Sequence, residues 1–213
     1  MKEYIKIETV YERDVNGTKK LIEGSFRDET VMYLKDCTWD WTEKIDGTNI
    51  GVVWDGHSVS FQGRTEKAQI PATLFIRLND MFCGETTEEL FEQIFGENNV
   101  ILFGEGYGHK IQKAGDLYNP NNVDFALFDV YLPDKDLWLK RDSVENIATT
   151  FGISCVPLLF RGDIDSAVRF VKSKPQSTIG NAPMEGVVGR PKVELRDRQG
   201  KRVIVKVKVR DFE

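Results

Sequence analysis

Cysteine and histidine are scarce in this chain, and long apolar runs are missing altogether. The three cysteines, Cys37, Cys83 and Cys155, stand far apart and match no metal-ligand spacing. Buried, reduced thiols are the expectation, and with them a cytoplasmic location. No apolar stretch approaches the length of a membrane span, and the charged opening Met1-Lys2-Glu3-Tyr4 does not read as a signal peptide. No repeat, low-complexity tract or Pro/Ser-rich linker interrupts the sequence, so one domain over residues 1–213 is expected. Positive charge is also short. A net charge of −5 argues against a protein that coats nucleic acid by bulk electrostatics, while leaving room for an enzyme that grips a few phosphates locally. The cations that are present gather towards the end, at Lys201, Arg202, Lys206, Lys208 and Arg210.

What the chain does hold is the run Glu43-Lys44-Ile45-Asp46-Gly47-Thr48-Asn49. A lysine two residues before a carboxylate and three before a glycine suits an amine that must be held and aimed. Such an amine can attack an α-phosphate and carry the nucleotide as a phosphoramidate. Alone, Lys-x-Asp-Gly is a weak signal, and its value depends on partners elsewhere.

The hydrophobic pattern places those partners. Residues 38–62 read as a β-meander, with strands flanking a turn at Asp55-Gly56-His57. Leu74–Phe82 and Leu90–Phe95 have helical spacing, the second preceded by a capping-box pattern at Thr86 and Glu89. Asn99–Gly104 and Phe125–Leu132 are apolar runs of strand length, expected to be central. Ser143–Phe151 predicts a helix stopped by Gly152, and Ile164–Val171 predicts another after Asp163. Met184–Gly189 is a short strand, and 194–197 pairs with 203–209 across Arg198-Gln199-Gly200. In the last strand Val203, Val205, Val207 and Val209 face one way, and Ile204, Lys206, Lys208 and Arg210 the other. Two readings stand there: a rigid cationic surface over a valine core, or an edge strand guarded by lysines. His57 falls in the turn and is expected to be exposed; His109 lies in a loop that faces either substrate or plain solvent. The class is α+β, with antiparallel sheets flanked by helices.

Further short segments follow in order: Gly63-Arg64-Thr65, Glu105-Gly106-Tyr107-Gly108, Phe128-Asp129, Glu185-Gly186 and Lys206-Val207-Lys208, each at a strand or its end. Singly each is ordinary. Together with Lys44-Ile45-Asp46-Gly47 they resemble the covalent nucleotidyltransferases, the superfamily of polynucleotide ligases and mRNA capping enzymes. Asn49, where DNA ligases and capping enzymes usually carry arginine, and Thr42-Glu43 before the lysine make the chain similar to ATP-dependent RNA ligases. The resemblance runs from about Tyr4 to Lys208.

The resemblance implies a nucleotidyltransferase fold with the nucleotide pocket between its sheets, and a role for each residue. Lys44 is implied as the nucleophile that takes AMP from ATP. Lys206, Lys208, Arg64 and magnesium, or manganese in its place, are implied to lower its pKa and to neutralise the triphosphate. Phe128 stacks on adenine, and the backbone at Glu43 and Ile45 reads the adenine edge. Glu105 holds the ribose hydroxyls. Asp46 and Glu185 position the metal through its waters. Arg64 and Asn49 contact phosphate and the reacting polynucleotide end. AMP then passes to a 5′-phosphate end, and a 3′-hydroxyl attack seals the break. The implied partners are RNA ends or a nicked duplex, RNA/DNA hybrids included, with room for an accessory protein and none for a membrane.

The expected departure from larger relatives is the lack of an OB-fold or helical module after Lys208. A DNA ligase or capping-type nucleotidyltransferase is the sister alternative, and a nucleotide-binding sensor without sealing activity is the alternative from another class.

Overall fold

The strands of the computed structural model, in chain order, are β1 (Glu8–Thr9), β2 (Tyr11–Arg13), β3 (Leu21–Phe26), β4 (Trp39–Lys44), β5 (Thr48–Trp54) and β6 (Val59–Gly63). There follow β7 (Val100–Gly108), β8 (Val123–Leu132), β9 (Leu137–Trp138), β10 (Ser154–Cys155), β11 (Leu158–Gly162), β12 (Gly186–Pro191) and β13 (Val205–Lys208). The helices are α1 (Glu29–Tyr33), α2 (Ala72–Phe82), α3 (Glu85–Phe95), α4 (Gly115–Tyr118), α5 (Arg141–Phe151) and α6 (Ile164–Lys172). The structure describes residues 2–65 and 67–213. The class is the mixed α+β one, with mainly antiparallel sheets flanked by helices.

The chain forms two compact units. The first holds the residues up to Ile5 with Asp46–Val156; the second holds Lys6–Ile45 with Pro157–Glu213. No linker composition marks the two later crossing points, and one of them falls inside the Lys44-Ile45-Asp46-Gly47 motif.

In the first unit a six-stranded sheet runs β10-β8-β7-β5-β6, with β9 against β8. β7 and β8 are interior, as their apolar stretches at 100–103 and 125–128 predict. The turn between β5 and β6 is held by the Asp55 carboxylate, which accepts the amides of His57 at 2.9 Å and Ser58 at 2.8 Å. Leu74, Leu78 and Phe82, spaced four apart on α2, are all fully buried, and Phe82 meets Phe125 edge-on at 5.5 Å. On α3, Phe91 stacks on Trp54 at 5.4 Å. That helix begins earlier than the Thr86–Glu89 pattern implied: Gly84 is its N-cap, without a side-chain cap, and Glu85 and Glu88 place negative charge in the first turn. α5 ends, as expected, at Gly152 in the left-handed conformation.

In the second unit a five-stranded sheet runs β1-β13-β12-β4-β11, beside the two-stranded ribbon β2-β3. Trp39 and Trp41, alternate residues of β4, are fully buried and stacked at 5.9 Å, in one core with Ile164, Val168 and Val171 of α6. α6 starts where Asp163 accepts the Ser166 amide at 2.7 Å.

Four expectations change here. β4 is no part of a meander with β5: both its edges are taken, by β12 and β11. The 194–197 and 203–209 segments pair only where they meet, through the Val203 amide donating to the Leu195 carbonyl at 2.9 Å beside an isolated Arg196–Arg202 bridge; from Val205 onward β13 pairs instead with β12 and β1. That pairing makes β13 an interior strand, so its lysines do not guard an edge; Val205 and Val207 are buried beneath it, and Ile204 is buried too. The thiols are free, but Cys37 is exposed in the loop between α1 and β4, and Cys83 and Cys155 are half-buried.

Candidate active site

The second unit builds a cationic cluster from three adjacent strands. β12 lies between β4 and β13, and its Gly186 is in register with Lys44 on one side and Lys208 on the other. Gly186 has φ +155°, and a Cβ there would come within 2.1 Å of the Val207 carbonyl oxygen, so only glycine lets the strands close at this point. The preceding Glu185 therefore sits between two lysines. Its Oε2 accepts Lys44 Nζ at 2.6 Å, and its Oε1 accepts Lys208 Nζ. All three side chains are largely withdrawn from solvent, Lys44 at 23% exposure the least so.

Burial opposes charge on Glu185, yet Lys44 and Lys208 outweigh it and hold the carboxyl below its ordinary pKa. Lys206, two residues along the same face of β13 from Lys208, has no carboxylate partner among the described residues. Burial, then repulsion from Lys208 and Lys44, pulls its pKa down to about 8. Three ammonium groups around one carboxylate leave an excess of positive charge, which suits a polyanionic ligand.

Glu43 turns elsewhere. Its carboxylate is buried and accepts the Thr178 amide at 3.0 Å, the Thr178 hydroxyl at 2.5 Å and the Ser177 hydroxyl. Its own amide donates to the Pro157 carbonyl at 2.9 Å. Ile45 is buried.

The first unit carries the other predicted residues. The Asp46 amide donates to the Tyr118 hydroxyl at 3.2 Å. A Cβ on Gly47 would meet the Gly106 carbonyl oxygen at 2.3 Å, so the glycine of the motif is dictated by close approach to β7. Asn49 and Glu105 face each other in register across β5 and β7, both half-buried. The Asn49 Oδ1 is buried with no hydrogen-bond partner among the described residues. Phe128 is half-buried between two buried neighbours, with the ring of Tyr4 edge-on at 5.0 Å. Tyr4 itself donates to the fully buried Asp129 at 2.8 Å. Arg64 follows β6 and is exposed. His57 is exposed as expected, and His109 Nδ1 lies 2.9 Å from an Asp116 carboxylate oxygen.

The structure thus brings Lys44, Glu185, Lys206 and Lys208 together, and sets Asn49 beside Glu105. Tyr4, Tyr118, Ser177 and Thr178 escaped the sequence reading: they contact residues remote in the chain, which no periodicity or local motif reports. No group of three or more His, Cys, Asp or Glu side chains among the described residues could hold a metal ion alone. The donor set fits magnesium only in the mode where water and phosphate supply most ligands and one or two carboxylates the rest.

A model of the RNA ligase family matches residues 38–208, which spans every strand of this cluster. The chain belongs to the RNA ligase family. Solved structures agree in fold. Naegleria gruberi RNA ligase with PPi shares 21% identity at a TM-score of 0.64, over 100% of this chain and 63% of that one. A mutant of the same RNA ligase with ATP and Mn shares 20% identity at 0.65, over 99% of this chain and 62% of that one. The apo form of another mutant shares 21% at 0.63, over 84% and 51%. The chain spans between about half and 64% of the length of these Naegleria gruberi RNA ligase structures. A comparison with curated protein sequences gave no match.

Proposed function

We propose that this member of the RNA ligase family is an ATP-dependent ligase that joins 5′-phosphate and 3′-hydroxyl RNA ends, with residues 1–213 acting as its adenylyltransferase domain. The observation that carries this reading is the Lys44–Glu185–Lys208 cluster, with the unpaired Lys206 beside it. Lys44 Nζ, freed of a proton, bonds to the α-phosphorus of ATP as the α–β phosphoanhydride bond breaks, and pyrophosphate leaves. Glu185, hydrogen-bonded to that nitrogen at 2.6 Å, aims the amine, and the ammonium proton passes to solvent. Lys206 and Lys208 offset the charge that grows on the leaving pyrophosphate.

In the first unit, Phe128 offers a ring face to adenine and Glu105 an acceptor to the ribose hydroxyls. Asn49 and Arg64 serve phosphate and the polynucleotide end, and the backbone at Glu43 and Ile45 serves the base edge. Magnesium, or manganese, supplies charge neutralisation on the phosphates, with Glu185 and Asp46 as the carboxylates offered to its water shell. The Naegleria gruberi RNA ligase structures with ATP and Mn, and with AMP and Mn, support ATP and a divalent ion as the cofactors. AMP then moves from Lys44 to a 5′-phosphate, and a 3′-hydroxyl displaces it.

RNA ends or a nicked duplex, hybrids included, are the partners of this reading. A cytoplasmic site fits three free thiols, and no helix among the described residues is long and apolar enough to cross a membrane.

Incubation with α-labelled ATP, and separately GTP, tests the reading, followed by a chase with nicked and single-stranded RNA and DNA. Acid-labile label from ATP alone, chased into sealed RNA, is the expected result. Binding of ATP without covalent label would return the protein to the sensor class.

A further inference from the structure

A chain of depressions leads away from Lys206 and Lys208 across the second unit. The first, about 220 Å3, is lined by Lys206, Lys208, Lys6, Arg13, Arg27 and Arg210, with Glu8 and Asp211 as its only carboxylates. It shares Glu8, Thr9 and Arg27 with a second of about 110 Å3. The second shares Arg27, Asp28 and Asp197 with a third, open one of about 750 Å3 that ends at Met32, Tyr33 and Arg198. Arg27 lines all three, so they form one continuous groove.

Nine cations and five carboxylates line it, on a chain whose net charge is −5. Most of the carboxylates are already engaged. Asp28 accepts the amides of Thr30 and Val31, and Asp197 those of Gln199 and Lys201. Asp211 holds Arg13 at 2.6 Å, and Glu8 lies between Lys6 and Arg27 at 3.7 and 3.4 Å. By contrast Arg198, Lys201, Lys206 and Arg210 have no carboxylate partner among the described residues. At the far end Tyr33 is 86% exposed and Met32 49% exposed, an apolar platform open to solvent.

We infer that this groove is a track for one strand of a polynucleotide, with its phosphates along the cations and a base stacked on Tyr33. A row of unpaired cations ending in an exposed aromatic ring is the arrangement that holds single-stranded nucleic acid without reading its sequence. The track rests on the ligase reading for its direction: the strand's phosphate end lies at Lys206 and Lys208, and Tyr33 takes a base several nucleotides away.

The test uses two 5′-phosphorylated RNAs, a strand of about ten nucleotides, within the usual site size of about 4–16, and a dinucleotide too short to reach Tyr33. Binding to the parent, Tyr33→Ala, Tyr33→Phe and Arg198→Ala proteins is measured by anisotropy over a range of salt. Transfer of label from ATP to protein is measured in parallel. Tyr33→Ala is expected to weaken the longer strand about tenfold, to leave the dinucleotide unchanged and to be rescued by Tyr33→Phe. Arg198→Ala is expected to reduce the log–log salt slope by about 0.7. Labelling from ATP stays at the parent level in all of them. Equal binding of the longer strand by parent and variants overturns the track. Loss of labelling in Tyr33→Ala or Arg198→Ala also overturns it, since the groove then serves the triphosphate of ATP. A parent that takes no label, yet holds the longer strand through Tyr33 and Arg198, defeats the ligase reading and leaves the track standing.

Discussion

Lys44 and Lys208 share a single carboxylate, Glu185, one on each oxygen. The proposed nucleophile and one of its charge-neutralising partners are therefore fixed by the same group, and the β4-β12-β13 register that sets the spacing is rigid backbone rather than loop. A triphosphate entering this cluster meets ammonium groups already desolvated and oriented, which limits the reorganisation left for the reaction itself.

Replacing Glu185 tests that arrangement directly. Glu185→Ala leaves two largely buried ammonium groups facing each other, at a cost of about 3 kcal/mol. Because the folded carboxyl titrates below its unfolded value of about 4.3, the stability it contributes is present above that pH and is lost as pH falls through the folded pKa. Acid denaturation of the parent should show this loss and that of Glu185→Gln should not. Identical acid profiles would mean that the ion pairs contribute nothing.

Lys44→Ala should abolish covalent labelling by ATP, since no other amine is held in its place. Glu185 keeps Lys208, so the loss of stability should be small, about 1 kcal/mol. Mass spectrometry of the labelled parent should find AMP on Lys44. Label retained in Lys44→Ala would mean that another residue is the nucleophile.

Lys206 gives the cluster a pH dependence. Its folded pKa of about 8 lies below the roughly 10.4 of an unfolded lysine. Between those values the unfolded chain binds more protons, so stability rises with pH across that window. Affinity for pyrophosphate should move the other way, falling as pH passes through about 8 and the ammonium is lost. Lys206→Met should remove both trends. Calorimetry with pyrophosphate from pH 6.5 to about 9.5 distinguishes this from a flat profile, which would place no titrating cation at the ligand.

The legible part of the sequence was whatever local pattern encodes. The turn at Asp55, the caps at Asp163 and Gly152, the buried α2 face and the alternation of β13 all follow from neighbours in the chain. The cluster of Lys44, Glu185, Lys206 and Lys208 was legible only as a resemblance, because its three strands are remote in sequence and nothing local sets their register. The assignment of β4 to a meander failed for the same reason: its partners, β11 and β12, come more than a hundred residues later. The division of the chain at Ile45 and Asp46 left no trace in composition, since both sides of it are strand-forming sequence.

Glu43 separates a fold role from a ligand role. It precedes the nucleophile, yet its carboxylate is 2% exposed and fastened to Ser177 and Thr178, far along the chain. Removing it in Glu43→Ala takes the acceptor from the buried Ser177 hydroxyl, at a cost of about 1–3 kcal/mol for one unsatisfied group, while the donors of the exposed Thr178 turn to water. In a chain of this size that corresponds to a fall in Tm of about 2–12 °C. The loop bearing Ser177 is tied by this carboxylate to the strand that ends in Lys44, so labelling by ATP should fall through a lower rate, with KM for ATP little changed. Ser177→Ala, which removes one of the same hydrogen bonds, should reproduce a part of the Tm loss. An unaltered Tm with a raised KM for ATP would make the Glu43 side chain a nucleotide contact instead of a strut between two segments of the fold.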